Sequence, residues 1–285
     1  KCIRTQKRFC KMAIKLLDDN VINKIAAGEV IERPASVVKE LLENAIDAAS
    51  RNIAVKISGA GLDSIEVADD GEGISMEELP LAFLRHATSK IENEGDLLRI
   101  MSMGFRGEAL PSIASVARMD IYSKKEKQDG IHCFIEGGKI LDLEYFPCPE
   151  GSKIIVSDLF FNTPARKKFL RSPVTEGNNA YELVIKYALA RPDIAISFSN
   201  EKRQLFRTPG NGSLNDAVIA IFGQDFLEPL IPVKWEGLSL STGKGSSSSS
   251  IKDRLEVLCF TGLWMKATVV CCWPGSSRWS YCRYR

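Results

Sequence analysis

Within Lys39-Glu40-Leu41-Leu42-Glu43-Asn44-Ala45-Ile46-Asp47-Ala48, a carboxylate (Glu40) and a side-chain amide (Asn44) stand one helical turn apart. Leu41, Leu42, Ala45, Ile46 and Ala49 form an apolar stripe, so Glu40, Asn44 and Asp47 fall on another face of the same helix. A carboxylate held near a phosphate can orient and deprotonate water, and an amide oxygen can ligate Mg²⁺. Spacing alone also fits a solvated helix face.

Two further pieces carry chemistry. Asp69-Asp70-Gly71-Glu72-Gly73 puts a carboxylate where it can accept an adenine amino group, beside glycines that let backbone approach a flat base. The plain reading is a turn, since Asp-Gly is common there. Gly104-Phe105-Arg106-Gly107-Glu108-Ala109-Leu110 sets glycines ahead of a helix N-terminus, whose N–H groups suit an anion. A capped helix with a flexible entry fits it too. No GxxxxGK[ST] run occurs, which excludes a P-loop.

The elements that must hold these groups follow from periodicity. Helical spacing runs from Ile22 to Ala49, interrupted at Gly28 and restarted near Pro34, a residue suited to a first helical position. Ile53, Val55 and Ile57 alternate with polar or small residues, as do Ile65 and Val67 after Gly59-Ala60-Gly61. That predicts a β-hairpin whose second strand ends on Asp69. A helical piece over 75–86, a polar stretch over 87–103 and a helix over 108–117 come next. Strands are expected near 118–123, 131–146 and 152–158 with a turn at Gly137-Gly138, then a helix over 176–190 and a strand over 194–199. The order predicts an α+β sandwich, helices over one face of a mixed, mostly antiparallel sheet.

Composition narrows the class. The 285 residues carry 26% charged side chains and a net charge of +2, so no global electrostatic footprint points to nucleic acid. A local basic cluster, Arg166, Lys167, Lys168 and Arg171, could meet DNA phosphates or a partner, or be a solvated helix face. Phe160, Phe161 and Phe169 are expected to pack in the core. No apolar run approaches the roughly 18 residues of a membrane span, and no signal-peptide core is present. Cys133 and Cys148 lie alone in the long middle without CxxC spacing, which predicts ordinary thiols of a reduced, cytosolic domain.

The three pieces in this order are far more specific than any one. The chain resembles the GHKL ATPase superfamily and, within it, the MutL family of DNA mismatch repair. The resemblance rests on Ile25–Val30, Arg33–Leu41, Arg85–Ile91, Gly104–Leu110 and Asn162–Leu170, and spans residues 14–235. It implies a Bergerat-type sandwich, ATP and Mg²⁺ as cofactors, Glu40 as general base and Asn44 as Mg²⁺ ligand. It further implies that Asp69 reads the adenine amino group, with Gly71 and Gly73 shaping the base pocket. Ser152, after Gly151, stands where the family often has a threonine beside the adenine. Gly104, Phe105, Arg106, Gly107, Glu108, Ala109 and Leu110 would form the lid over the phosphates, with Thr88 and Ser89 also at the nucleotide. His86 has either a site role or a structural one.

The implied function is an ATP-binding and ATP-hydrolysing switch that couples mismatch recognition to strand processing. Its expected partners are a MutS-like mismatch-recognition protein, DNA held weakly through its phosphates, a downstream nuclease or helicase, and a second copy in an ATP-dependent dimer. The expected setting is the bacterial cytoplasm, at the nucleoid. The alternative is a nucleotide-binding but hydrolysis-deficient fragment, or an interaction module.

The chain's ends depart from the pattern. Residues 1–11 read as an unstructured extension, 12–210 as the ATPase domain, and 211–240 as the truncated start of a second, S5-like α/β domain after a linker at Asn211-Gly212-Ser213. Residues 241–285 are Gly/Ser-rich and then Trp/Cys-rich. Trp264-Met265 fixes the codons TGG-ATG, and reading on from the third base with permitted codons gives DEGYRGMLLAGKFPVVVLPV. That string is a helix, a glycine stop and an apolar strand, so the tail reads as frameshifted. The family's second domain would supply a lysine to the γ-phosphate, and turnover is therefore expected to be impaired in the chain as written.

Overall fold

The computed structural model describes residues 28, 30–84, 87, 103, 107–226, 230–236 and 254–260. Helix α1 (Pro34–Asp47) begins with proline as expected, after Arg33 in extended backbone. It ends before Ala49, whose φ of 59° turns the chain toward the sheet. Strands β1 (Asn52–Ser58) and β2 (Ser64–Asp69) form the hairpin, with Val55 opposite Val67 and Ile53 opposite Asp69. The expected helix over 75–86 shrinks to α2 (Leu79–Ala82). Ser75 and Glu78 bond reciprocally across the turn that precedes it, and the 3.3 Å bond from Phe83 N to the Pro80 carbonyl tightens its end.

Helix α3 (Ala109–Val116) leads into β3 (Arg118–Lys124), β4 (Ile131–Glu136), β5 (Lys139–Tyr145) and β6 (Gly151–Ser157). The β4–β5 turn is Gly137-Gly138, both at positive φ. Then come α4 (Pro164–Phe169), α5 (Pro173–Ala190), β7 (Ala195–Ser199), β8 (Gln204–Arg207) and α6 (Leu214–Phe222). Eight strands form one sheet in the order β5-β4-β3-β6-β2-β1-β7-β8. Only β1 and β7 pair in parallel within it, so the sheet is mixed and mostly antiparallel. Strands β9 (Leu230–Glu236) and β10 (Arg254–Phe260) pair in a separate sheet.

One face of the large sheet is apolar. Ile53, Val55, Ile65, Val67, Met119, Ile121, Ile131, Cys133 and Val156 are all buried there, beneath the buried stripe Val37, Val38, Leu41, Leu42 and Ala45 of α1. The alternation in β1, β2, β3 and β4 follows from one face meeting helices and the other meeting water, whereas the edge strand β5 is exposed almost throughout. On the open face Lys153 pairs with Glu66 at 3.0 Å, and Tyr122 stacks on His132 with Phe146 edge-on to Tyr122. Helix α5 crosses α1, and α6 packs against α5 and β8. Ser213 is the N-cap of α6, accepting a bond from Asp216 N, so the Asn211–Ser213 turn leads straight into a helix. Among the described residues, no helix is long and apolar enough to cross a membrane.

Ile65 is 0% exposed and sits mid-sheet under α1. Ile65→Ala is expected to cost about 2–5 kcal/mol of unfolding free energy, read from the midpoint of urea denaturation.

Candidate nucleotide site

The polar row of α1 lies where its apolar stripe leaves it. Glu40 keeps 21% of its side chain exposed, and its Oε1 accepts a 3.1 Å bond from Lys39 Nζ. Asn44 is half-buried one turn on. Asp47, which the sequence put on the same face without a role, accepts a 2.9 Å bond from the backbone N–H of Met103. It pins to α1 the chain that runs into the glycine-rich segment.

Asp69 ends β2 opposite Ser152 of β6. Its Oδ1 accepts bonds from Ser50 Oγ at 3.0 Å and Gly71 N at 2.8 Å. Burial pushes the Asp69 carboxyl above its ordinary range, and the bonds from Gly71, Ser50 and the Ser152 backbone only partly offset this. Asp70 does different work. Its carboxylate takes the N–H groups of Arg51 and Asn52, each at 2.8 Å, and the Asn52 side-chain amide at 2.7 Å. Desolvation raises the Asp70 carboxyl, but these bonds together hold it below the usual carboxylate range. Asp70 ties the turn to β1, while Asp69 points into the site's wall.

The two glycines serve close backbone approach. A Cβ on Gly71 would meet Ser50 Oγ at 2.6 Å and the Ala48 carbonyl at 2.7 Å, and one on Gly73, at φ +71°, would strike the Lys124 carbonyl. Glu72 N donates to the Ala48 carbonyl at 3.1 Å, so the turn is stitched to the end of α1. Ser152 Oγ lies 2.8 Å from Ser123 Oγ, which accepts the N–H of Ile74 at 2.8 Å. Sequence reasoning missed Ser50 and Ser123, because a lone serine carries no spacing signal.

Gly107, at φ +61°, packs so closely that a Cβ would strike the Ala87 carbonyl. Glu108 is the N-cap of α3, and Ala109 and Leu110 form its first turn, with N–H groups of the kind a helix leaves without intrahelical partners. Thr88, Ser89, Gly104, Phe105, Arg106 and His86 lie outside the described residues, as do residues 1–11 and the expected helical stretch Ile22–Ala27.

Residues 31–139 match the family described as "Histidine kinase-, DNA gyrase B-, and HSP90-like ATPase". Over 230 residues the chain is 96% identical to the DNA mismatch repair protein MutL of Syntrophomonas wolfei, covering 81% of this chain and 39% of that protein. The MutL of Listeria innocua is 50% identical over 222 residues, 78% of this chain and 37% of its own length. Among solved structures, the Aquifex aeolicus MutL ATPase domain complexed with ADP superposes with a TM-score of 0.62 at 27% identity, covering 83% of this chain and 80% of that one. This is the N-terminal GHKL ATPase region of the MutL family. The chain spans about two fifths of the length of the curated relatives it matches.

The MutL-like segment Asn162–Leu170 braces α3. Asn162 Nδ2 donates to the Ser115 carbonyl at 2.8 Å, and Phe160 N donates to the Val116 carbonyl at 2.8 Å. Phe160 is fully buried, and Phe161 lies under the Arg118 guanidinium at 4.9 Å. Phe169 corrects the expectation of a core residue: it is 87% exposed, since α4 is too short to turn it back onto the core. Lys167, Lys168 and Arg171 are exposed, whereas Arg166 packs on Gly28. Cys133 and Cys148 are free thiols, as expected, and burial pushes the Cys133 thiol up to about 11.

Asp69→Asn keeps an acceptor for Ser50 and Gly71 while removing the buried charge. The folded-state pKa is raised above the unfolded value of 3.8, so wild-type stability from this group is full below pH 3.8 and lost as pH rises through the folded value. The Asn variant is expected to match wild type near pH 3.8 and to melt at the same or a higher temperature at pH 7, in calorimetric scans across that range. Gly73→Ala is expected to cost at least about 1–3 kcal/mol by chemical denaturation, because φ +71° and the Lys124 carbonyl both oppose a side chain.

Proposed function

We propose that the chain binds ATP with Mg²⁺ between the polar face of α1, the Asp69–Gly73 turn and the N-terminus of α3, and that it serves as the nucleotide-driven switch of mismatch repair. One observation carries the reading. Ser50, just past the end of α1, donates to Asp69, and the Ala48 carbonyl accepts from Glu72, so the α1 row and the acidic turn share one wall. The ADP complex named for the Aquifex relative supports it.

Asp69 would take the adenine amino group on its carboxylate, with the Ser123–Ser152 hydroxyl pair beside it. Asn44 would ligate Mg²⁺. An ion held by that amide would take its other ligands from phosphates and water. That ion would neutralise phosphate charge as it develops. Glu40 would orient and deprotonate the attacking water. Gly104–Leu110, with Thr88 and Ser89, would close over the phosphates, next to Met103, whose N–H is held by Asp47. Ordering that segment would favour pairing with a second copy around DNA, with Lys167, Lys168 and Arg171 near phosphates, and signalling between a MutS-like protein and a downstream nuclease or helicase.

A second reading is binding without turnover. The lysine expected from a second domain, begun within residues 211–240, falls where residues 241–285 depart from the family's pattern.

Calorimetric titration with a non-hydrolysable ATP analogue, with and without Mg²⁺, tests both readings. Binding should depend on Mg²⁺, and Asn44→Ala should weaken it at least about tenfold, the scale of a lost ligand contact. Glu40→Gln should bind like wild type, with phosphate release falling about 10²-fold or more. No binding by the folded chain would overturn the site. Binding with no phosphate release by wild type would select the second reading.

A further inference from the structure

We propose that Glu43 and Tyr187 are positioning residues for Glu40, acting through Lys39. The inference rests on the reading of Glu40 as the water-activating base. Lys39 Nζ is shared between two carboxylates of its own helix: it lies 2.7 Å from Glu43 Oε2 and 3.1 Å from Glu40 Oε1. The other oxygen of Glu43, Oε1, accepts the hydroxyl of Tyr187 on α5. Glu43 is 5% exposed and Tyr187 3%. A carboxylate buried this deeply needs partners for both oxygens, and here one is an ammonium and the other a phenol.

The geometry sets a division of charge. The ammonium sits closer to Glu43 than to Glu40, so Glu43 draws it back from the base. Burial and the Glu43 charge raise the Tyr187 phenol, so it stays a donor. If Glu43 loses its hold on the ammonium, Lys39 is free to close on Glu40. It would then occupy the lone pairs that must receive the water proton.

Two near-isosteric variants of the full chain test this, Glu43→Gln and Tyr187→Phe, with two readouts. The first is the ¹³Cδ resonance of Glu40 at pH 7, identified by its loss in Glu40→Gln. The second is kcat beside KM and the affinity for the non-hydrolysable analogue. Both variants should move the Glu40 resonance, with kcat down about tenfold in Glu43→Gln and about threefold in Tyr187→Phe while KM and analogue affinity hold, the scale expected of a displaced catalytic group. A Glu40 resonance unchanged in both variants would overturn the proposal, whatever the turnover. So would a fall in kcat matched by an equal loss of analogue affinity and thermal stability. Should the wild-type chain bind without turning over, the resonance alone decides. Turnover that survives Glu40→Gln would instead remove Glu40 from the role of base, leaving the measured coupling between Tyr187 and Glu40 intact.

Discussion

Everything at the site depends on α1 being held against the sheet by one stripe. Val37, Val38, Leu41, Leu42 and Ala45 are all 3% exposed or less, and burying such side chains is worth about 1.5–3 kcal/mol each for the larger ones. With that stripe fixed, the rotation of the helix is fixed as well. Glu40, Asn44 and Asp47 can then face only the rim where the acidic turn arrives. Polar groups that would be unremarkable on a free helix become a row with a defined direction.

The acids around this row are not equivalent, and their surroundings separate them. Asp70 lies in a nest of N–H groups and a side-chain amide, and its charge is held easily. Burial raises the carboxyls of Asp69 and Glu43, against the hydrogen bonds each accepts. The cost of placing such groups in the wall of the site is offset by the hydrophobic layer behind it.

Much of this was legible in the residues. The apolar periods of 34–49, 53–57 and 65–67 are strong because each element buries one face only, and all three elements formed where expected. The sheet's mixed, mostly antiparallel character also followed from element order. Short elements were not legible: β8 spans only Gln204–Arg207 and α4 six residues, too few for a period to emerge. Of the helix expected over 75–86, the described residues form only the single turn Leu79–Ala82. At the site, Glu40, Asn44 and Asp69 carry motif signals. Ser50, Ser123, Glu43 and Tyr187 act through contacts distant in the chain, and those leave no trace in spacing.

The single parallel pair in the large sheet sets the order of assembly. β1 lies between β2, its hairpin neighbour, and β7, which pairs Asn52 with Ala195. Closing so long an intervening segment is entropically costly, and such contacts form late. During synthesis the hairpin leaves the ribosome with one edge of β1 unpaired until most of the chain has followed. α5, the last helix to cross α1, emerges just ahead of β7. A nascent chain thus carries its nucleotide-facing residues long before it can hold them in place, and an early stop before residue 195 would expose that edge to other chains.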